Sequence, residues 1–157
     1  MATDTVFQMT GSTVRFGAGA TREVGSDFVD LGCRRVLAII DPAVRDLYPG
    51  ATALESLRSA RVDFDVFSQV RCEPTDASFR DAIAAAGSGG FDGFLAVGGG
   101  STIDTAKAAN LYATWPADFA EYVNPTLGRG ATPAGPLKPL IAVPTTAGTG
   151  SETTAVA

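Results

Sequence analysis

Short apolar runs recur along this chain and are separated by amphipathic stretches. Three of the runs are continuously apolar, which predicts strands that are covered on both faces, as in parallel sheets. They lie at 36–40, 94–97 and 140–143. A fourth segment, 62–66, alternates apolar and polar residues, which predicts a strand with one face in water at a sheet edge.

The first two amphipathic stretches predict helices. Apolar residues at i, i+4 and i+7 over 24–31 form one stripe, and Gly32 is a helix stop signal. The segment 52–55 reads Thr-Ala-Leu-Glu and fits a capping box at the start of a second helix, which ends near Arg61. We therefore expect Thr52 to be the N-cap of that helix.

Two further helices are predicted in the middle of the chain. Thr75 or Asp76 begins a helix with an apolar stripe, and the glycine-rich segment 87–90 ends it. After the strand at 94–97, three glycines lead into a helix over about 101–112. Strands that alternate with helices predict an α/β fold with a mostly parallel, Rossmann-like sheet flanked by helices.

Length and proline content complete the outline of the fold. A chain of 157 residues makes one domain the default, so we interpret residues 1–157 as a single α/β domain. The segment 124–139 is rich in proline and predicts an irregular loop before the last strand.

Composition and charge narrow the classes of function. The chain carries 12 basic and 17 acidic residues, and its net charge of −5 argues against a nucleic-acid partner, because phosphate binding needs a basic surface. No apolar run approaches the roughly 18 residues that span a bilayer, so no membrane partner is expected. The first ten residues lack the basic segment and apolar run of a secretory signal, so we expect a cytoplasmic protein.

Histidine is absent from the sequence, and there are two cysteines. Metal sites and catalytic triads that need histidine are therefore excluded for this chain. Cys33 and Cys72 are too few for a zinc finger, and without an export signal we expect two reduced thiols. Any chemistry must use carboxylates, hydroxyls, lysine, backbone groups or a bound cofactor.

Three polar segments follow the carboxyl ends of predicted strands: Asp41, the turn 98–104 and the stretch 145–154. Ligands of open parallel sheets bind beyond these ends of the strands. We therefore expect a binding site where the three segments converge.

The turn 98–104 reads Gly-Gly-Gly-Ser-Thr-Ile-Asp. Glycines let a ligand approach the backbone, and a helix N-terminus presents free N–H groups, which suits a pyrophosphate. The alternative is a tight turn with an ordinary cap, in which Ser101 is the N-cap and Asp104 lies at N3. In that interpretation Lys107, one turn later, simply pairs with Asp104.

The other two segments have alternatives of the same kind. Asp41 at a strand end suits ribose hydroxyls, but an Asp-Pro pair also initiates turns. The stretch 145–154 supplies many short hydroxyls and two glycines, which suits wrapping a nucleotide, but its composition also fits a disordered tail.

Two segments taken together carry a family resemblance: 98–107, Gly-Gly-Gly-Ser-Thr-Ile-Asp-Thr-Ala-Lys, and 144–152, Pro-Thr-Thr-Ala-Gly-Thr-Gly-Ser-Glu. In this order and at this separation they resemble the iron-containing (group III) alcohol dehydrogenase family. The resemblance extends through 15–17 and Asp41 and covers essentially the whole chain.

Three further segments, 70–79, 107–113 and 136–144, are similar to the hydroxyacid–oxoacid transhydrogenase branch of that family. Enzymes of this branch pass a hydride from a hydroxyacid such as 4-hydroxybutyrate to 2-oxoglutarate through a nicotinamide that stays bound. The resemblance thus implies an oxidoreductase for hydroxyacid/oxoacid or alcohol/aldehyde substrates, with NAD (or NADP) as cofactor.

The cofactor positions of the family carry over onto residues of this chain. The resemblance implies that Asp41 contacts the adenosine ribose, and that Asp104 contacts the nicotinamide side or orders its turn. The residues implied to hold the pyrophosphate are Gly99, Gly100 and Ser101. The residues implied to line the adenine and ribose side are Thr145, Thr146, Thr149 and Thr154.

The metal of the family has no counterpart in these residues. In the family an Asp and three His hold a divalent metal, expected to be iron, on a helical domain that follows the nucleotide-binding domain. The resemblance therefore implies that this chain is the N-terminal dinucleotide-binding half, with neither catalytic nor metal-ligating residues. We expect the isolated chain to be inactive and the whole enzyme to be a homo-oligomer, a dimer. The alternative is a non-catalytic, truncated module for NAD binding or interaction.

Overall fold

The computed structural model describes residues 12–154 and 157. A 3₁₀ turn at Ala20–Glu23 precedes the regular elements. The α-helices are α1 (Val24–Asp30), α2 (Tyr48–Ser59), α3 (Asp76–Ser88), α4 (Gly100–Thr114) and α5 (Phe119–Tyr122). The strands are β1 (Arg35–Ile40), β2 (Asp63–Phe67), β3 (Gly93–Gly98) and β4 (Leu140–Pro144).

The four strands form one parallel sheet in the order β2-β1-β3-β4. Helices cover both faces of the central strands, because successive residues of β1 point alternately into two apolar clusters. Val36 packs with residues of α1 and α2, whereas Leu37 packs with residues of α3 and α4. This arrangement confirms the predicted α/β fold and explains why β1 and β3 read as continuous apolar runs.

The two outer strands of the described sheet differ from the central pair. β2 alternates between exposed and more buried residues, as predicted for an edge strand. β4 was expected to be covered on both faces, and this expectation is wrong for 140–143, whose residues are half-buried. Within the described part of the chain β4 pairs with β3 on one side, so its own apolar run is incompletely covered.

Two local expectations about the first helices are also wrong. Thr52 is not the N-cap of α2, because the N-cap is Leu47, five residues earlier, and the helix begins at Tyr48 with Pro49 in its first turn. Proline suits that position, since its φ is already helical and its missing N–H would have no partner there. Leu31, placed on the apolar stripe of α1, is half-exposed at the C-cap, where Gly32 (φ 78°) ends the helix as predicted.

The start of α3 agrees with its prediction. Thr75 is the N-cap: its hydroxyl accepts from the Ser78 N–H (3.3 Å), and the Ser78 hydroxyl accepts from the Thr75 N–H (2.9 Å). Both partners of this capping box are hydroxyl residues, so two N–H groups at the helix start are satisfied.

The segment 124–139 is irregular, as expected, and is held in place by side chains of α4 and its C-cap. The Asn110 side chain donates to the Lys138 carbonyl (2.8 Å) and accepts from its N–H (3.3 Å). The Trp115 indole donates to the carbonyl of Pro136 (3.3 Å). These bonds deliver the chain to β4 beside β3. Both cysteines are free thiols, which also agrees with the sequence analysis.

Candidate functional site

The three segments singled out in the sequence meet at the carboxyl edge of the sheet. The Asp41 N–H donates to the Val97 carbonyl at 3.0 Å, and the Thr145 N–H donates to the Gly98 carbonyl at 2.9 Å. The residues that follow β1 and β4 therefore flank the glycine turn that follows β3. The three segments therefore lie next to one another, as predicted.

Gly98 lets these segments approach one another. A Cβ atom at this position would lie 2.3 Å from the Thr102 hydroxyl oxygen and 3.0 Å from the Asp41 Cβ. The first distance is too short for a side chain and the second is tight, so glycine suits this place between the end of β1 and the first turn of α4. The small turn therefore brings the Asp41 side chain close to the start of the helix.

The N-terminus of α4 has no side-chain cap. Gly99 is the N-cap and Gly100 the first helical residue, so Ser101 and Asp104 lie inside the helix. The alternative in which Ser101 caps the helix is therefore wrong. The first N–H groups of an α-helix have no intrahelical acceptor and favour an anion, and here no side chain of the cap occupies that place.

Asp41 makes the turn that its Asp-Pro sequence predicted. One of its carboxylate oxygens accepts from the Ala43 N–H at 2.8 Å. A carboxylate offers two oxygens with about four lone-pair sites, so this bond leaves capacity for ribose hydroxyls. The side chain is half-buried beside Gly98, so both interpretations of Asp41 are compatible in this structure.

The segment 145–151 packs against the start of α4 rather than extending as a tail. A Cβ at Gly99 would lie 2.9 Å from the Thr146 hydroxyl oxygen. A Cβ at Gly100 would lie 3.1 Å from the Ser151 hydroxyl oxygen and from the Thr149 Cβ. Threonine and serine side chains therefore surround the two glycines at the helix N-terminus.

Asp104 and Thr154 share a partner, Lys107, which lies farther along α4. Lys107 lies 3.6 Å from an Asp104 carboxylate oxygen, so the predicted pair is present. The Lys107 ammonium also donates to the Thr154 hydroxyl at 3.0 Å. Thr154 therefore contacts the second turn of the helix, whereas Thr146 and Thr149 lie at its first residues.

The electrostatics of Lys107 reflect its partly closed surroundings. Burial lowers the pKa of its ammonium, and the neighbouring carboxylates of Asp104 and Glu152 oppose that shift. The side chain of Lys107 is 14% exposed and that of Asp104 is 26% exposed. A short Lys–Asp–Glu charge cluster thus lies beside the second turn of α4.

The structure adds two residues that the sequence argument did not select. Thr102 is 1% exposed, and its hydroxyl oxygen has no hydrogen-bond partner within the described ranges. Ser151 is 8% exposed and packs over Gly100. Thr102 lies between the selected residues Ser101 and Asp104, and Ser151 lies within the selected stretch 145–154. What distinguishes both residues is their burial, which a sequence motif does not reveal.

Metal-ligand clusters and membrane-spanning helices are both absent from the described residues. No group of three or more Cys, Asp or Glu side chains in 12–154 lies together in a way that could hold a metal ion. None of the helices in this part of the chain is both long and apolar enough to cross a bilayer.

A comparison with protein families agrees with these motifs. The sequence model of iron-containing alcohol dehydrogenases matches residues 11–157. This chain belongs to the iron-containing alcohol dehydrogenase family.

Curated relatives in this family are much longer than the chain. A mitochondrial hydroxyacid–oxoacid transhydrogenase of Bos taurus is 54% identical over 156 residues, which cover 99% of this chain and 34% of the relative. The Homo sapiens protein of the same name is 51% identical over 156 residues, or 99% of this chain and 33% of the relative. The chain thus spans about a third of the length of the curated relatives it matches.

Solved structures of the family share the fold described above. A 1,3-propanediol oxidoreductase has a TM-score of 0.83 and 33% identity, over 96% of this chain and 38% of that one. The sulfoacetaldehyde reductase of Bifidobacterium kashiwanohense, solved in complex with NAD+, has a TM-score of 0.79 and 25% identity, over 96% and 39%. The predicted match to the N-terminal domain of a group III alcohol dehydrogenase is confirmed.

The names of the curated relatives contradict the expected cytoplasmic location. The transhydrogenases of Bos taurus, Rattus norvegicus and Homo sapiens are all named mitochondrial. The expectation of a cytoplasmic protein rested on the absence of a secretory signal, which needs a long apolar region. Mitochondrial address segments are instead amphipathic and rich in arginine and serine, so that absence does not distinguish the cytoplasm from mitochondria.

Proposed function

We propose that this chain is the NAD-binding part of an oxidoreductase of the hydroxyacid–oxoacid transhydrogenase type. The proposal is supported by the family membership and by relatives of that name at 51% and 54% identity. The substrates of the proposed whole enzyme are small hydroxyacids and oxoacids, such as 4-hydroxybutyrate and 2-oxoglutarate.

The uncapped N-terminus of α4 is the observation that carries the proposed binding mode. It combines glycines at the N-cap and first helical position, surrounding hydroxyl groups, and Asp41 at the end of the neighbouring strand. Free N–H groups and the positive end of a helix dipole stabilise a pyrophosphate. The buried Thr102 hydroxyl, which lacks a partner within the described residues, adds a polar group beneath the same turn.

In this binding mode each selected residue contacts or orders a particular part of the dinucleotide. Asp41 accepts hydrogen bonds from the adenosine ribose, and its charge disfavours the 2′-phosphate of NADP. Asp104 orders the nicotinamide side of the helix through its pair with Lys107. Backbone N–H groups that hold the pyrophosphate belong to Gly99, Gly100 and Ser101. Hydroxyls that line the adenine and ribose side belong to Thr145, Thr146, Thr149 and Thr154.

NAD supplies the hydride chemistry when it is bound, and the chain supplies the geometry around it. The residues at the start of α4 orient the dinucleotide by holding its negative charge. The loop after β4 packs against the same helix start and places hydroxyl groups beside it. The divalent metal of the family is assigned to no residue described here.

A matched pair of glycine variants tests the binding site. A Gly100→Val side chain would enter the space that Ser151 and Thr149 occupy, 3.1 Å from the added Cβ. We expect it to weaken NAD+ binding, measured by calorimetric titration, by roughly tenfold or more, or about 1.4 kcal/mol.

The control is Gly87→Val in α3, where an added Cβ meets no atom within 4 Å. This variant carries the same substitution in a helix away from the site, and its affinity for NAD+ should equal that of the parent. Equal binding by all three proteins would contradict the assigned site, and no binding by the parent would contradict the proposed function.

A further inference from the structure

Lys107 joins two parts of the candidate site that are far apart in sequence. Its ammonium donates to the Thr154 hydroxyl at 3.0 Å, across 47 positions, and lies 3.6 Å from the Asp104 carboxylate one turn earlier on α4. A single side chain therefore contacts both the helix and the end of the loop that follows β4.

The surroundings of this contact are partly buried and carry more negative than positive charge. The Glu152 carboxylate interacts electrostatically with Lys107, and one of its oxygens is buried without a hydrogen-bond partner among the described residues. The ammonium is desolvated as well, with its side chain 14% exposed. Solvent screens the charge of a partly buried ammonium less than that of an exposed one.

The loop is attached at its two ends by different means. At the first end, the Thr145 N–H donates to the Gly98 carbonyl at 2.9 Å, which continues the register of the sheet. At the far end, the Thr153 and Thr154 N–H groups bond to the Gly150 carbonyl, which forms a turn within the loop itself. The bond from Lys107 connects that far end to α4.

The position of the loop matters because its side chains lie against the helix start. Thr149 and Ser151 are in contact distance of Gly100, three to five residues before the position that Lys107 holds. A displaced far end would move these hydroxyls away from the N–H groups of the first turn.

We propose that Lys107 is a positioning residue, which holds the far end of the 145–154 loop on α4 and so sets the height of its hydroxyls over the helix N-terminus. The effect of this contact on dinucleotide affinity rests on the proposed function. The effect on the loop itself does not, because it concerns a contact between two residues of the chain.

Hydrogen exchange of the ligand-free chain tests the contact. The amides to follow are those of Ser151, Thr153 and Thr154, whose N–H groups have hydrogen-bond acceptors within the loop. Lys107→Met keeps the length and apolar stem of the side chain but removes its charge. We expect exchange of these three amides to accelerate at least tenfold, with the amides of α3 unchanged.

Three variants complete this experiment. Lys107→Arg keeps a cation and should restore most of the protection. Lys138→Met replaces the other lysine of the chain, whose backbone contacts Asn110, and should leave the loop amides as in the parent. Thr154→Val removes the acceptor of the Lys107 bond at an exposed position and should reproduce the acceleration even if Lys107→Met folds poorly.

Titration of the same proteins with NAD+ separates this inference from the proposed function. We expect Lys107→Met to weaken binding at least fivefold, with Lys107→Arg close to the parent. Unchanged exchange of the loop amides in Lys107→Met and Thr154→Val would overturn the positioning role, as would equal acceleration in α3. Failure of the parent to bind NAD+ would overturn the proposed function, while the exchange result would still decide the role of Lys107.

Discussion

At the scale of single residues, the two thiols lie in opposite surroundings. Cys33 is buried between α1 and β1, and its thiol donates to the Asp92 carbonyl at 3.5 Å, whereas Cys72 is exposed. Burial, with a smaller contribution from the Asp92 carboxylate, raises the pKa of the Cys33 thiol above its ordinary value of 9.0. A raised pKa means a smaller thiolate fraction at any pH below it, and the thiolate is the reactive form.

We therefore predict that a disulfide reagent at pH 8 modifies Cys72 quickly and Cys33 at least one hundredfold more slowly. Peptide mass spectrometry over time gives the two rates. Cys72→Ser should leave only the slow reaction, and denaturant should make both reactions fast. Two equal, rapid rates in the folded chain would contradict the buried position of Cys33.

At other positions the residue type is set by how closely neighbouring elements pack, and not by chemical reactivity. Gly25 donates its N–H to the Ser56 hydroxyl at 2.9 Å, and that hydroxyl donates to the Arg22 carbonyl at 2.6 Å. A Cβ at Gly25 would lie 2.2 Å from the Ser56 carbonyl oxygen. Glycine therefore allows α1 to pack directly on α2, as Gly98 allows β3 to approach the first turn of α4.

At the scale of elements, helix starts in this chain are of two kinds. α3 begins with a reciprocal capping box between Thr75 and Ser78, whereas the other described α-helices begin with no side-chain cap, and α4 among them begins at glycines. A capped start stabilises its own helix, because the side chain satisfies an N–H group. An uncapped start leaves those groups for a ligand. The absence of a side-chain cap does not by itself distinguish α4, because α1, α2 and α5 also begin without one; its glycines at the N-cap and first helical position do.

Removal of the α3 cap gives a prediction at this scale. Thr75→Ala deletes the hydroxyl that accepts from Ser78, and we expect the free energy of unfolding to fall by about 1 kcal/mol. Thr75→Ser keeps the acceptor and should lie within about 0.5 kcal/mol of the parent. Urea denaturation followed by circular dichroism measures both. A loss of the same size in both variants would show that the hydroxyl bond is not the cause.

At the scale of the whole molecule, stability should be highest at the centre of the sheet. β1 and β3 have strands on both sides and apolar clusters on both faces, whereas β2 lies at an edge with alternate residues exposed. Local opening of a segment requires less energy where fewer apolar contacts and interstrand bonds must break.

Amide hydrogen exchange across the sheet tests this gradient. We predict that amides of β1 and β3 exchange only through global unfolding and so report the full free energy of unfolding. Amides of β2 should exchange faster, through local opening. Slow exchange of β2 equal to that of β1 would contradict the gradient, because it would mean that the edge strand opens only when the whole domain does.

The sequence by itself was enough for the local elements and the class of fold. Apolar periodicity, Gly32, Thr75 and the glycine triplet at 98–100 are local signals, and a strand or helix depends largely on local backbone preferences. The same signals misplaced Thr52 as a cap and Leu31 as a core residue. α2 begins earlier, with Pro49 in its first turn, and Leu31 is half-exposed at the C-cap of α1.

The tertiary structure alone decided how the site is assembled. Residues near positions 41, 98 and 145 become neighbours because the parallel order β2-β1-β3-β4 places the ends of their strands side by side. The burial of Thr102 and the bond from Lys107 to Thr154 depend on packing between segments dozens of residues apart. Periodicity reports which face of an element is apolar, but not which element covers it, so these contacts follow from the fold and not from the motif.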